Sequence, residues 1–151
     1  MKKEAILISA CLLGVPCRYD GASKPVGNLA ELEAHYRLVP VCPEVLGGLP
    51  TPRPASEIQP DGSVRNRAGQ DVTAQYRAGA ARALAIAQKE GCRVAILKSK
   101  SPSCGAGMVY DGSFSGTLRS GDGITVRLLR ENGIRVLGEE ELSTLFTGKN
   151  E

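Results

Sequence analysis

The 151-residue chain has no tryptophan, one histidine and few aromatics: four tyrosines and two phenylalanines. A core so poor in large rings must be built from aliphatic side chains and alanine. With His35 alone, and that on a helix, histidine-based acid–base catalysis is disfavoured. No apolar run is long enough to cross a membrane, and neither heptads nor collagen-like repeats occur. Charge of one sign is also scarce. The formal net charge is +3 with no basic run, which argues against nucleic acid and membrane surfaces as partners. No Walker A motif is present, and Gly105-Ala106-Gly107 is too short for a phosphate-cradling loop. The beginning, from Met1-Lys2-Lys3 to Ile8-Ser9-Ala10-Cys11, imitates a lipoprotein leader. Its apolar stretch Ala5–Ala10 falls short of the ~7–15 residues such a leader needs, and Glu4 sits at its edge. The expectation is a cytoplasmic protein whose thiols stay reduced.

What the chain does have is 18 glycines, nine prolines and five cysteines in a length that suits a single domain, 1–151. Glu4–Ser9 reads as a buried strand, followed by an irregular loop Ala10–Lys24. Asn28 is the expected N-cap of a short helix through Arg37, with Leu29, Leu32 and Tyr36 on one face. Leu38–Val41 is a second strand, and Pro43–Gln70 a long Gly/Pro-rich loop. Thr73–Glu90 is the clearest helix, carrying Tyr76, Ala80, Ala83 and Ala87 at helical spacing before Gly91. Val94–Leu97 is a third strand, and Ser101–Asp122 is loop with room for a hairpin. Thr125–Asn132 is a helix closed by Gly133, Ile134–Leu137 a fourth strand, and Glu139–Phe146 a last helix. Continuously apolar strands separated by helices predict an α/β fold: a Rossmann-like parallel sheet with helices on both faces and long active-site loops. Tyr-Asp-Gly occurs twice, at 19–21 and 110–112, and reads as a turn each time.

In open parallel sheets, ligands bind beyond the carboxyl ends of the strands. Cys11 follows the first strand, Cys42 the second, and Cys104 lies seven residues beyond Leu97. These three should converge on one rim, where Cys17 could join them. Cys92, at the amino end of its strand, belongs to the opposite rim and reads as a structural thiol. An odd number of cysteines argues against a complete disulfide framework. Three soft thiolates suit zinc or an iron–sulfur cluster, and an incomplete ligand set leaves a coordination position open. Zinc would make a hydrolase or deaminase, whereas an iron–sulfur centre could be catalytic or a noncatalytic sensor. Glu44, two residues from Cys42, is placed to activate water, and Ser101 and Ser103 flank Pro102 before Cys104. Arg18, Asp20, Arg53 and Glu57 are expected as solvated loop charges.

Several separated motifs carry a resemblance. Ser9-Ala-Cys-Leu-Leu-Gly14, Cys17-Arg-Tyr-Asp-Gly21, Val41-Cys-Pro-Glu-Val-Leu-Gly-Gly48 and Ser101-Pro-Ser-Cys-Gly105 resemble the thiouracil desulfurase family, over Ile6 to about Gly133. Tyr110-Asp-Gly112 and Phe114-Ser-Gly116 fit as well. The resemblance implies a [4Fe-4S] cluster on Cys11, Cys42 and Cys104, with Cys17 as the residue that could replace one of them. It matches Glu44 to the catalytic acid of the Cys-Pro-Glu motif, and Ser101, or alternatively Ser103, to the catalytic serine. The implied reaction is non-redox desulfuration of a thiolated pyrimidine, 2- or 4-thiouracil, to uracil and hydrosulfide. Free base versus nucleoside stays open, as does the oligomeric state.

Overall fold

In a computed structural model, residues 3–15, 17, 19–21 and 29–141 are described. Four strands form the central sheet: β1 (Glu4–Ser9), β2 (Tyr36–Val41), β5 (Val94–Leu97) and β8 (Arg135–Gly138). Their order is β2-β1-β5-β8, and every pairing is parallel. Ile6 stands opposite Leu38 and Val94, and Ile96 opposite Leu137. The chain passes from β1 to β2 on one side and returns to β5 on the other. The winding thus reverses between β1 and β5, and the crevice beyond their carboxyl ends is where such sheets place ligands.

Both sheet faces are covered, which is why these strands read as unbroken apolar runs rather than alternating ones. Ala5, Leu7, Ala95, Leu97 and Val136 face helices α3 (Thr73–Glu90) and α4 (Ile124–Glu131), meeting Ala87, Val126 and Leu129. Ile6, Ile8, Ile96 and Leu137 face the other way, against Leu32 of α1 (Leu29–His35) and Leu12 of the 3-10 turn Ala10–Leu13. Helix α3 has the predicted limits and ends where Gly91, at φ 72°, takes the left-handed cap that glycine adopts at no steric cost. No helix among the described residues is long and apolar enough to cross a membrane.

Two expectations shift. Tyr36 opens β2 rather than closing α1, because its buried ring joins the cluster under Ile6 and Ile8. Pro40 survives within β2 because that strand lies at the sheet edge and pairs on one side only. The two long loops contain regular structure: α2 (Pro43–Leu46) and the hairpin of β3 (Ser56–Ile58) with β4 (Val64–Asn66) in the first, β6 (Met108–Tyr110) with β7 (Leu118–Ser120) in the second. Ile58, Val64 and Val109 bring these hairpins together with Tyr76 in a small core of their own. At the far end, Glu139–Glu141 forms a 3-10 turn, while 142–146 of the expected last helix, and Asn28, the expected N-cap of the helix through Arg37, lie outside the described residues.

Candidate active site

Four of the five cysteines line one cavity of about 490 Å³ at the carboxyl end of the sheet: Cys11, Cys17, Cys42 and Cys104. Cys11 sits in the 3-10 turn that follows β1, and Cys42 links the end of β2 to α2 as its N-cap position. The Cys42 thiol donates to the Cys17 carbonyl at 3.7 Å, which ties these two segments together. Burial pushes the Cys17 thiol up to about 12, and the neighbouring Cys42 and Cys11 act in the same direction. Cys104, 5% exposed, is pushed up mainly by burial, against a hydrogen bond with Ser9, while Glu44, Cys42 and Cys11 add to the rise. Cys11 and Cys42 thus lie close enough to act on both Cys17 and Cys104. Cys92 is not in the cavity lining and packs into the α3/α4 side of the core, as the sequence predicts.

Glu44, on α2, points its carboxylate into a buried polar network. Its Oε1 accepts from the Tyr76 hydroxyl at 2.6 Å and from the Arg53 Nε at 3.2 Å. The remaining guanidinium nitrogens of Arg53 donate to the Pro50 carbonyl, the Thr51 hydroxyl and the Cys17 carbonyl. Arg53 and Glu57 overturn the expectation of solvated charges, being only 8% and 7% exposed. A charge is buried only with partners. Arg53 has them as above, and Glu57 Oε1 accepts the backbone N–H groups of Gly112 and Phe114, which moors the 111–116 loop beside the cavity. Asp20 is exposed as expected, and Arg18 lies outside the described residues. Tyr19–Gly21 is a turn, whereas Tyr110 closes β6 ahead of the bend at Gly112; both glycines are left-handed, and Tyr19 and Tyr110 both line the cavity.

The position of α2 is set by glycine. Gly79 of α3 lies against the Pro43 carbonyl and Gly47 against the Gln75 carbonyl, so closely that a Cβ on either would collide with backbone. The Arg82 guanidinium, one turn further along α3, donates to the Leu46 carbonyl. Sequence reading marked the alanines of this helix face and passed over Gly79, whose place between Tyr76 and Ala80 is the visible signal of close approach.

The two serines before Cys104 have different surroundings. Ser101 lines the cavity, and its Oγ accepts from the backbone N–H groups of Ser103 and Cys104, fixing the turn that presents the thiol. Ser103 is fully buried, with its hydroxyl 2.6 Å from that of Thr125. The carbonyls of Pro102 and Ser103 also receive the first N–H groups of α4, from Ile124, Thr125 and Val126. Ser103 thus fastens the loop to a helix end that would otherwise have orphan donors.

The donor set fits a thiophilic metal group. Soft sulfur donors dominate, and the helix that carries His35 is not part of the cavity lining. Among the described residues, no three His, Cys, Asp or Glu side chains close on a point where one ion could sit. The thiols that line the cavity come from separate segments, and soft sulfur donors of this kind suit zinc or an iron–sulfur cluster.

The chain is similar to known proteins along nearly its whole length. The chain is 40% identical over 150 residues to the uncharacterised protein YbbK of Bacillus subtilis (strain 168), covering 93% of this chain and 99% of that one. It is 47% identical to a solved structure of a [4Fe-4S]-dependent thiouracil desulfidase, TudS, with a TM-score of 0.91 over 98% of this chain and 99% of the other. The model of the 2-thiouracil desulfurase family matches residues 6–141. With a matched sheet, a matched span and these motifs in order, the chain belongs to the 2-thiouracil desulfurase family.

Proposed function

We propose that this protein is an enzyme that converts 2- or 4-thiouracil to uracil with release of hydrosulfide, using a [4Fe-4S] cluster held by Cys11, Cys42 and Cys104. The observation that carries the reading is the shared cavity: four thiols and a hydrogen-bonded carboxylate lie together where the sheet winding reverses. Cys11 and Cys42 directly follow neighbouring parallel strands, and Cys104 is turned in by Ser101, so three separate elements would hold the cluster. Cys17 is then the thiol left over. When bound, the cluster would supply a sulfur-seeking Lewis acid, which favours a thiocarbonyl over its oxo counterpart.

The chain's own residues would do the rest. Glu44 accepts a proton from a water that Ser101 helps to hold, and the resulting hydroxide adds to the ring carbon bearing sulfur. The new C–O bond becomes the carbonyl as the C–S bond breaks: the added hydroxyl's proton passes to sulfur, which departs with its electron pair as hydrosulfide, and Glu44 returns its own proton to solvent. Water supplies the oxygen, and no electron is gained or lost overall. Arg53 balances the negative charge of Glu44 in the buried site.

Anaerobically purified protein is expected to contain iron and acid-labile sulfide and to release hydrosulfide from both thiouracils. Stoichiometric zinc without labile sulfide would refute the cluster, and a loaded cluster without hydrosulfide release would refute the reaction. Glu44→Gln should keep its iron while kcat falls by about 10²–10⁴. Iron content of Cys17→Ala, compared with Cys11→Ala, decides the ligand set: the first should retain iron and the second should lose it.

A further inference from the structure

Glu44 is held from one side. Both of its hydrogen-bond donors, the Tyr76 hydroxyl at 2.6 Å and Arg53 Nε at 3.2 Å, reach the same atom, Oε1. A carboxylate oxygen offers two good acceptor directions, so Oε1 is filled. Among the described residues, no donor is seen on Oε2. Tyr76 is 1% exposed, so water does not compete for its hydroxyl. Ser56 lines the cavity close to the phenol, and among the described residues the one side-chain acceptor of the phenol proton is Glu44 Oε1. Tyr76 and Gly79 stand three residues apart on one face of α3. The same helix therefore locates the backbone of α2 through Gly79 and the carboxylate of Glu44 through Tyr76.

We infer that Tyr76 is a positioning residue, which together with Arg53 occupies Oε1 so that Oε2 alone meets the attacking water. The inference rests on the reading of Glu44 as the base. The phenol is not itself the proton carrier, because burial and then the Glu44 charge push its ionisation far above the ordinary tyrosine range.

Tyr76→Phe keeps the ring in the core and removes only the hydroxyl. Cluster-loaded Tyr76→Phe should retain wild-type iron and labile sulfide, with kcat for 4-thiouracil lowered roughly 10-fold or more and KM within about twofold. In a Glu44→Gln background the same change should lower kcat no further. A kcat within about twofold of wild type at full iron content would overturn the inference.

A second measurement separates this inference from the proposed activity. Thermal midpoints of loaded wild type, Tyr76→Phe, Glu44→Ala and the double variant should be non-additive, and additive midpoints would overturn the contact's importance. If loaded wild type releases no hydrosulfide, the desulfurase reading fails, while these midpoints still decide whether Tyr76 holds Glu44. Should Tyr76→Phe fail to fold, Arg53→Lys takes its place, since it keeps the positive charge and removes the Nε donor to Oε1. A fall in kcat of about two- to fivefold at unchanged KM supports the inference, and an unchanged kcat overturns it.

Discussion

At the carboxyl ends of β1, β2 and β5 the chain buries an arginine, a glutamate, a fully enclosed Ser–Thr pair and three thiols, with a fourth half-buried. At the amino end of β5 it buries a single thiol, Cys92, and keeps its ion pair outside: Arg37 and Glu90 meet at 2.7 Å with side chains 52% and 33% exposed. One sheet thus has a costly end and a cheap one. Burying polar groups demands a partner for each, and the carboxyl rim supplies them by folding two hairpins and a short helix over the strand ends. The amino rim needs only a helix cap and tight packing. That investment in one rim marks where chemistry takes place, independently of any single motif.

The comparison can be broken most severely at the thiols. Cys42→Ala should reduce iron and labile sulfide to background, with the far-UV circular dichroism of the folded protein retained. Cys92→Ala should keep full metal content and activity at a stability loss of about 1 kcal/mol by urea unfolding. Equal metal loss in both variants would abolish the distinction between the two rims.

Gly79→Ala comes next. A methyl group there must displace the Pro43 backbone, and with it Cys42 and Glu44. The expected cost is about 1–3 kcal/mol, with kcat falling further than a shift in stability alone produces. Ala80, which has a side chain already and is buried beside it, is the control position: Ala80→Gly should cost about 1 kcal/mol and leave kcat alone.

The two serines sharpen the contrast within the rim itself. Ser103→Ala leaves the buried Thr125 hydroxyl without its partner, so stability should fall by about 1–3 kcal/mol. Ser101→Ala should lower kcat more than stability, since its hydroxyl lines the cavity. Chemical denaturation paired with steady-state kinetics distinguishes the two, and a reversed pattern would make Ser103 the catalytic serine. The smallest effect belongs to the amino end. Arg37→Ala should change stability by less than about 1 kcal/mol, because an exposed ion pair gains little over hydration.

Much of the sheet was legible in the sequence because its signals are local. Glu4–Ser9, Thr73–Glu90 and Val94–Leu97 have the predicted limits: apolar runs and alanine spacing report burial directly. The β3/β4 hairpin was not, since strands of three residues are too short to show a period, and the β6/β7 hairpin was legible only as room for one within Ser101–Asp122. Arg53 was missed for a related reason. A charged residue between Pro52 and Pro54 looks solvated until the partners that bury it, Glu44 and the Cys17 carbonyl, are brought to it from elsewhere in the chain.

The sequence by itself determined the class of fold, the rim on which Cys11, Cys42 and Cys104 would meet, and the family to which the motifs belong. Those follow from strand order and from what directly succeeds each strand. Only the tertiary structure decided that Cys17 stands among them, that Ser103 is turned inward to Thr125 while Ser101 faces the cavity, and that Tyr76 and Arg53 share one oxygen of Glu44. Each of these is a contact between groups distant in sequence. Their pairing is fixed by packing and by the need to satisfy every buried donor and acceptor, neither of which any local run of residues can express.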